Sequence, residues 1–386
     1  MKCLIPNIGS TSFKFRVYEM PSEQVIAEGR VERIGQPGGE CANYLQAIQH
    51  CFAEICGEGK PLASLSEIDA VGFKAVHGGR FNAPRIIDDA FVDELRRFSF
   101  LAPAHNPPYI TAIEAFRAAL PGVPLVAVVE TGTWRQMDEA STTYAVPYEW
   151  RTEYGIRRYG FHGATHRAAS ERIMASLETT KLRHISCHLG GSSSVAAFRD
   201  GVGIDTSMGA SPQSGLPQNN RVGDMDVFAV LHMMRELGLG PEEMATLLGT
   251  KAGLAGVSGR SGDIRDLMEA MSQGDKRSKL ALDIFIRSIR HYLGAFLVEL
   301  GGVDVITFSG GIGENSGYIR SKVLKGLKEL GIELDDGVNF GLHPGKISSK
   351  HSKVKVYVIP ANEELVVARE TAAQVANLVK SAGAQQ

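Results

Sequence analysis

The sequence predicts an α/β protein in which one strand–turn–strand unit occurs twice. Three observations predict it. Short apolar runs alternate with longer helical patterns, the signature of mixed strands and helices. Asn7-Ile8-Gly9-Ser10-Thr11-Ser12 and His188-Leu189-Gly190-Gly191-Ser192-Ser193-Ser194 are both small-residue turns between apolar segments. At 386 residues the chain has room for two or three domains.

Taken in order, the first turn is followed by Phe13-Lys14-Phe15-Arg16-Val17, a second strand. Leu125 to Val129 reads as a buried strand. Ile185 precedes the second turn and Val195-Ala196-Ala197-Phe198 follows it, so this segment repeats the first. Two unrelated hairpins would give the same pattern; duplication is the sharper reading. Val227 to Leu237 reads as a helix with Val227, Val230, Leu231 and Met234 on one face. Leu280 to Leu300 reads as a longer one, with apolar surface to spare, stopped by Gly301-Gly302. Val303 to Phe308 is another buried strand, and Ser381 to Gln386 a frayed tail.

Composition excludes several classes. A net charge of −2 gives no basic footprint for nucleic acid and no acidic run for disorder. No apolar run approaches the ~18 residues of a membrane span. The N-terminus turns polar too soon for a signal peptide. Five cysteines without a CxxC pair argue against a disulfide scaffold or thiolate zinc site and for a reducing compartment. A cytoplasmic protein is expected.

The candidate chemistry lies in the turns. Ser10, Ser12 and Lys14 share one side-chain parity beside Asn7, so the first turn suits a phosphoryl group; it also reads as a polar hairpin. Lys74 to Arg80 puts cations near Gly78-Gly79, as an anion site or a solvated turn. His105 stands in a proline-rich loop. His162 and His166 have the spacing of two ligands on a helix face, but Gly163 occupies the place of a metalloprotease glutamate. Arg221 lies in the polar loop Asn219 to Asp224, where it either stabilises phosphoryl charge or turns to solvent. Ser309 to Asn315 is a glycine turn after a strand, suited to a nucleotide. Glu363-Glu364 follows Pro360, as a water-mediated Mg²⁺ site or a helix opening.

In their order along the chain, these segments resemble the acetate kinase family, in the superfamily that joins acetate and sugar kinases with actin. The matching segments run from Asn7 to Arg369, and Tyr154 to Gly163 is the most specific block. The resemblance implies two actin-like (ribonuclease H-like) domains with a cleft: 1–130 completed by a C-terminal helix 364–386, and 131–363. It implies reversible phosphoryl transfer from ATP to acetate or another short carboxylate, with Mg²⁺, or Mn²⁺ in its place, in a homodimer. Asn7 and Glu363 would hold the metal, and Ser10, Ser12 and Lys14 would lie near the phosphoryl group. Lys74, Val76, Phe161 and Pro212 would bind the carboxylate. His162, Arg221, Glu130 and His105 would serve catalysis. His188, Gly190, Gly191, Ser192, Asp263, Ile264, Arg265, Gly311, Ile312, Gly313, Glu314 and Asn315 would bind the nucleotide.

The chain departs from the family's pattern at several of these places. Lys74 stands for arginine, Glu130 for aspartate and Ala104 for leucine. The family's HLGNG turn reads His188-Leu189-Gly190-Gly191-Ser192, and its GTRSGD loop reads Asn219-Asn220-Arg221-Val222-Gly223-Asp224. Losing the turn asparagine removes a polar side chain from the expected phosphate site. Two other readings stay open: a carboxylate kinase using a longer acid or pyrophosphate, and a catalytically weak nucleotide-binding regulator.

Overall fold

The computed structural model describes residues 1–8, 12–35, 38–103, 105–341 and 344–383. Ser10, Ala104 and the end of the expected C-terminal helix, 384–386, lie outside the described residues. The chain divides into two units, Met1–Arg135 with Asn362–Gln386, and Gln136–Ala361.

In the first unit, β1 (Lys2–Ile8), β2 (Ser12–Glu19) and β3 (Gln24–Glu32) form an antiparallel meander. β4 (Ala70–Ala75), β5 (Arg85–Ile86) and β6 (Leu125–Val129) complete a sheet of order β3-β2-β1-β4-β6-β5. β1, β4 and β6 run parallel, and β5 is an antiparallel edge. Alternation from Phe13 to Val17 in β2 buries Phe13, Phe15 and Val17 and leaves Lys14 exposed. Every residue of β6 is buried, as a parallel strand covered on both faces requires. One face packs Phe73 edge-on to Phe116 at 5.5 Å. The other is covered by the last helix, Glu363–Gly383, whose Val367 and Ala368 meet Ile5, Val126 and Val128. Gly72 permits this approach, because a Cβ there would stand 2.1 Å from Thr371 Oγ1.

The second unit repeats the plan. β7 (Arg183–Leu189), β8 (Ser193–Arg199) and β9 (Val202–Thr206) form the meander. β10 (Val305–Ser309), β11 (Gly345–Lys346) and β12 (Lys355–Val358) extend it to the order β9-β8-β7-β10-β12-β11. This is the first sheet's order strand for strand, with the same parallel centre and antiparallel edge. The fold is duplicated. β10 begins two residues later than its apolar run, because the Asp304 carboxylate is turned onto Arg183 at 2.7 and 3.2 Å.

Two helices differ from their sequence reading. The long one spans Lys276–Glu299, starting early because Asp275 caps it by accepting from Ser278 N. Most of its apolar face lies in the unit's own core, through Leu282, Phe285, Ile289, Leu293 and Phe296, and Leu280 and Val298 stay exposed. The Val227–Leu237 helix forms as expected, yet none of its residues is buried; Phe228 is 76% and Val227 62% exposed. Among the described residues no helix is long and apolar enough to cross a membrane. All five cysteines are free.

Candidate active site

In the first unit the candidate groups gather at the C-terminal ends of β1, β4 and β6, where open α/β sheets bind ligands. Asn7 is one residue from the end of β1, Lys74 one residue from the end of β4, and Glu130 follows β6. The last helix adds Glu363 and Glu364 from its first turn. Lys74 Nζ lies 2.9 Å from Glu363 and 4.0 Å from the buried Glu130 carboxylate. Burial opposes its charge, but these two carboxylates outweigh burial and raise its pKa. Beside it, burial pushes the Tyr109 hydroxyl up to about 12. Asn7 Nδ2 donates to Glu364, not Glu363, at 3.4 Å, and Arg16 pairs with Glu364 at 2.8 Å. Helix phase decides this division: adjacent residues on a helix point about 100° apart. Val76 is buried, and His105 directly precedes the Asn106–Ala119 helix without a side-chain cap bond; the Asn106 amide donates to the His77 and Leu95 carbonyls. Ser12 opens β2, and Lys14 is exposed on it.

In the second unit His162 precedes the Gly163–Ser176 helix with φ 55°, a left-handed conformation uncommon outside glycine. Its Nδ1 meets Ser194 Oγ at 2.7 Å. Ser194 also meets His166 Nε2 at 2.7 Å, and His166 Nδ1 meets Ser186 Oγ at 2.8 Å. Burial, with His188 and His184 nearby, holds His166 well below the usual histidine range, so it stays neutral. His188 stands edge-on to His162, centroids 4.8 Å apart, and its Nδ1 meets Ser309 Oγ at 3.2 Å. The HxxxH pair is thus joined through the Ser194 hydroxyl of β8, while Ser186 of β7 holds the other nitrogen of His166.

Arg221 is half-buried. Its partners are neutral: Ser192 Oγ at 3.4 Å and Gln218 Oε1 at 3.3 Å. Among the described residues no carboxylate pairs with it, and burial lowers its pKa. An unneutralised, partly desolvated guanidinium attracts anions. Gln218 is fixed by donating to the carbonyl of buried Pro212 at 2.7 Å, and Phe161 is buried too.

A cavity of about 780 Å³ opens beside the second glycine turn. Gly190, Gly191, Asp263, Ile264, Arg265, Gly311, Ile312 and Asn315 line it, as do Asn219, from the Arg221 loop, and Met268, Tyr318 and Phe340, which motif reading missed. Its size suits a nucleotide. Gly310 has φ 77°, and a Cβ there would stand 2.6 Å from the Leu189 carbonyl, so the two glycine turns meet backbone to backbone. Arg265 is spent on Asp263, at 2.6 and 3.0 Å. Gly313 and Glu314 do not line the cavity: Gly313 packs on Phe308, and Glu314 Oε1 accepts from Gly310 N and Ala361 N at 2.9 and 3.0 Å. Nor do His188 and Ser192, which face His162 and Arg221.

Fold and site together place the chain among the actin-like phosphotransferases. The sequence profile of the Acetokinase family matches residues 2–369. The acetate kinase of Shouchella clausii (strain KSM-K16) is 40% identical over 389 residues, covering 96% of this chain and 98% of that protein. Two crystal structures superpose with TM-scores of 0.88: Porphyromonas gingivalis acetate kinase, 35% identical over 97% of this chain and 99% of that one, and a propionate kinase from Francisella tularensis subsp. tularensis SCHU S4, 30% identical over 96% and 99%. The chain belongs to the acetokinase family.

Proposed function

We propose that the chain is a carboxylate kinase that transfers the γ-phosphoryl of ATP, reversibly, to acetate or another short carboxylate. A carboxylate oxygen bonds to the γ phosphorus, the bond from that phosphorus to the β–γ bridging oxygen breaks, and an acyl phosphate and ADP result. The observation that carries the reading is the likeness to an acetate kinase along 96% of the chain. The second unit takes the nucleotide in the cavity at its glycine turns. His162 and Arg221 stabilise charge on the moving phosphoryl, with His105 and Glu130 as further catalytic groups. Lys14, Ser10 and Ser12 attend the phosphoryl group. Val76, Phe161 and Pro212 are assigned to the acid's alkyl end and Lys74 to its charge.

The donors of the first unit suit Mg²⁺, or Mn²⁺ in its place. Glu363 and the Asn7 amide oxygen are hard oxygen ligands. Lys74 offsets one of the two carboxylate charges beside it, so one negative charge remains to favour a cation. Contact through water suits an ion that sheds its hydration reluctantly. Bound there, the ion supplies charge neutralisation for the phosphates.

The exposed apolar face of the Val227–Leu237 helix supports a two-fold homodimer through the second unit. Phe228→Glu is expected to turn a dimer into a monomer by light scattering; a wild-type monomer would overturn the assignment. Five free thiols support a reducing, cytoplasmic setting.

The test traps acyl phosphate as its hydroxamate with acetate, propionate and butyrate, using ATP or pyrophosphate. Product from acetate, ATP and Mg²⁺ is expected. No product from any pair would favour a nucleotide-binding regulator. One sequence feature favours a second reading, propionate used at least as well as acetate. Ala104 stands where the family has leucine, and one methylene in an apolar pocket is worth ~10–200-fold in kcat/KM. Ala104→Leu is expected to move preference toward acetate, and a strong acetate preference that it leaves unchanged would remove this reading.

A further inference from the structure

The turn Gly190-Gly191-Ser192 lacks the asparagine of the family's pattern, and Gly191 leaves open space on the cavity wall. The loop facing it fills that space. Asn219 Nδ2 lies 3.5 Å from where a Cβ on Gly191 would stand, and its Cγ 3.9 Å. A Cβ at position 191 would make ordinary contact with that amide, so an asparagine there would compete with Asn219 for the same space. One amide, from one side or the other, occupies the place.

Asn219 is held there by its backbone. Its N–H donates to the Gly191 carbonyl at 3.3 Å, and its carbonyl accepts from Ala255 N at 2.8 Å. Gly262 lies so close that a Cβ on it would stand 2.3 Å from that carbonyl oxygen. The side chain, by contrast, is uncommitted. Arg265 is paired with Asp263, Asn315 Nδ2 donates to the Gly311 carbonyl, Ser316 caps its helix and Tyr318 meets Met271. Among the described residues, Asn219 is the polar side chain on this wall whose amide makes no hydrogen bond within the protein. A half-buried amide on a fixed backbone, facing a cavity, is a preorganised binding group.

We propose that Asn219 supplies the amide that binds the phosphate chain of the nucleotide, in place of the side chain that Gly191 lacks. The inference rests on the reading of the cavity as the nucleotide site. Phosphate is the moiety favoured because the glycine turn lets backbone and anion approach closely, while Ile264, Met268, Ile312, Tyr318 and Phe340 give the rest of the wall an apolar character suited to a base.

Calorimetric titration of the full chain with ATP, ADP and adenosine tests it. A hydrogen bond to a charged group is worth ~1.5–3 kcal/mol, so Asn219→Gly is expected to weaken ATP and ADP about 10- to 100-fold and leave adenosine unchanged. Asn219→Asp, of the same shape, is expected to weaken ATP further still and spare adenosine; it serves if the glycine variant fails to fold. Gly191→Asn alone is expected to weaken ATP by crowding. Combined with Asn219→Gly it is expected to restore most of the affinity, a coupling that independent sites would not show. Unchanged ATP affinity in Asn219→Gly, equal loss of adenosine, or a double variant no better than the single one would each overturn the inference. A wild-type chain that binds none of the three ligands would overturn the nucleotide reading itself.

Discussion

One residue before the end of β4, the first unit carries Lys74; at the same step of β10 the second carries Phe308. Directly after β6 stands the buried Glu130, and directly after β12 the buried Ile359. Near the end of β1 is Asn7, and in the same place on β7 is His188. Equivalent positions of one topology have thus diverged in charge. The first unit's strand ends gather carboxylates around a lysine. The second's gather histidines, hydroxyls and an arginine that no carboxylate neutralises among the described residues. The repeated sheet fixes where ligands approach; the residues at its strand ends decide which sign of charge each copy receives. The carboxylates of the first copy suit a cation beside the lysine assigned to the acid, and the second copy suits anions.

The anion side should break most visibly. Removing one preorganised donor from a developing charge costs ~10²–10³ in kcat. Arg221→Ala and His162→Ala are each expected to lose that much turnover with unchanged circular dichroism. Arg221→Lys is expected to recover little, because an ammonium lacks the guanidinium fork. Near-normal turnover in either alanine variant would take that residue out of the mechanism.

The cation side should respond more mildly. Groups that act on a metal through water typically contribute ~10–100-fold to its affinity. Glu363→Gln is expected to raise the Mg²⁺ concentration for half-maximal activity by that factor, while ADP titrated without metal binds as before. An unchanged Mg²⁺ requirement would leave the first unit's carboxylates as mere partners of Lys74.

The smallest effect is one of stability. His184 is buried, with Nε2 on Thr307 Oγ1 at 2.8 Å, and burial pushes its pKa down to about 3. The unfolded chain takes up a proton near pH 6.5 that the folded unit refuses. Stability is therefore untouched above that pH and falls as pH drops toward 3. At ~1.4 kcal/mol per unit, His184 costs about 2 kcal/mol between pH 7 and pH 5, and His166 adds to the loss in the same direction. The two tryptophans, Trp134 and Trp150, lie in different units, so urea unfolding followed through Trp150 in a Trp134→Phe background reports the second unit. Equal stability at pH 7 and pH 5 would mean that these histidines take up protons in the folded state.

Much of this was legible in the sequence, through two kinds of signal. Gly190-Gly191 and Gly310-Gly311 announce backbone that must bend or approach closely, and Gly190, Gly191 and Gly311 line the cavity. The apolar runs Leu125–Val129 and Val303 to Phe308 mark two buried central strands, the second observed as Val305–Ser309. Periodicity was silent on what covers an apolar face. The Val227–Leu237 stripe and the stripe in Lys276–Glu299 look alike as patterns, yet the first is exposed and the second is core. Motif order was silent on phase. Glu363-Glu364 was visible as a pair, but only the helix start decides that Glu364 takes Asn7 and Glu363 takes Lys74. The signal for Asn219 was present: an asparagine missing from one turn and gained in the next motif. Only the facing of the two loops links those changes.

The covering of Gly72 by Thr371 has a consequence for how the protein is made. The ribosome releases the first unit's sheet early and its covering helix last. Between them it must synthesise the whole of Gln136–Ala361. At ~5–20 residues per second the wait is on the order of ten to forty seconds. During it, Ile5, Val126 and Val128 lack the helix that buries them. The second unit is one unbroken stretch of chain and is complete when Ala361 emerges. The order of completion thus reverses the order of the sequence, and the nascent first half keeps this apolar face uncovered until the helix Glu363–Gly383 emerges.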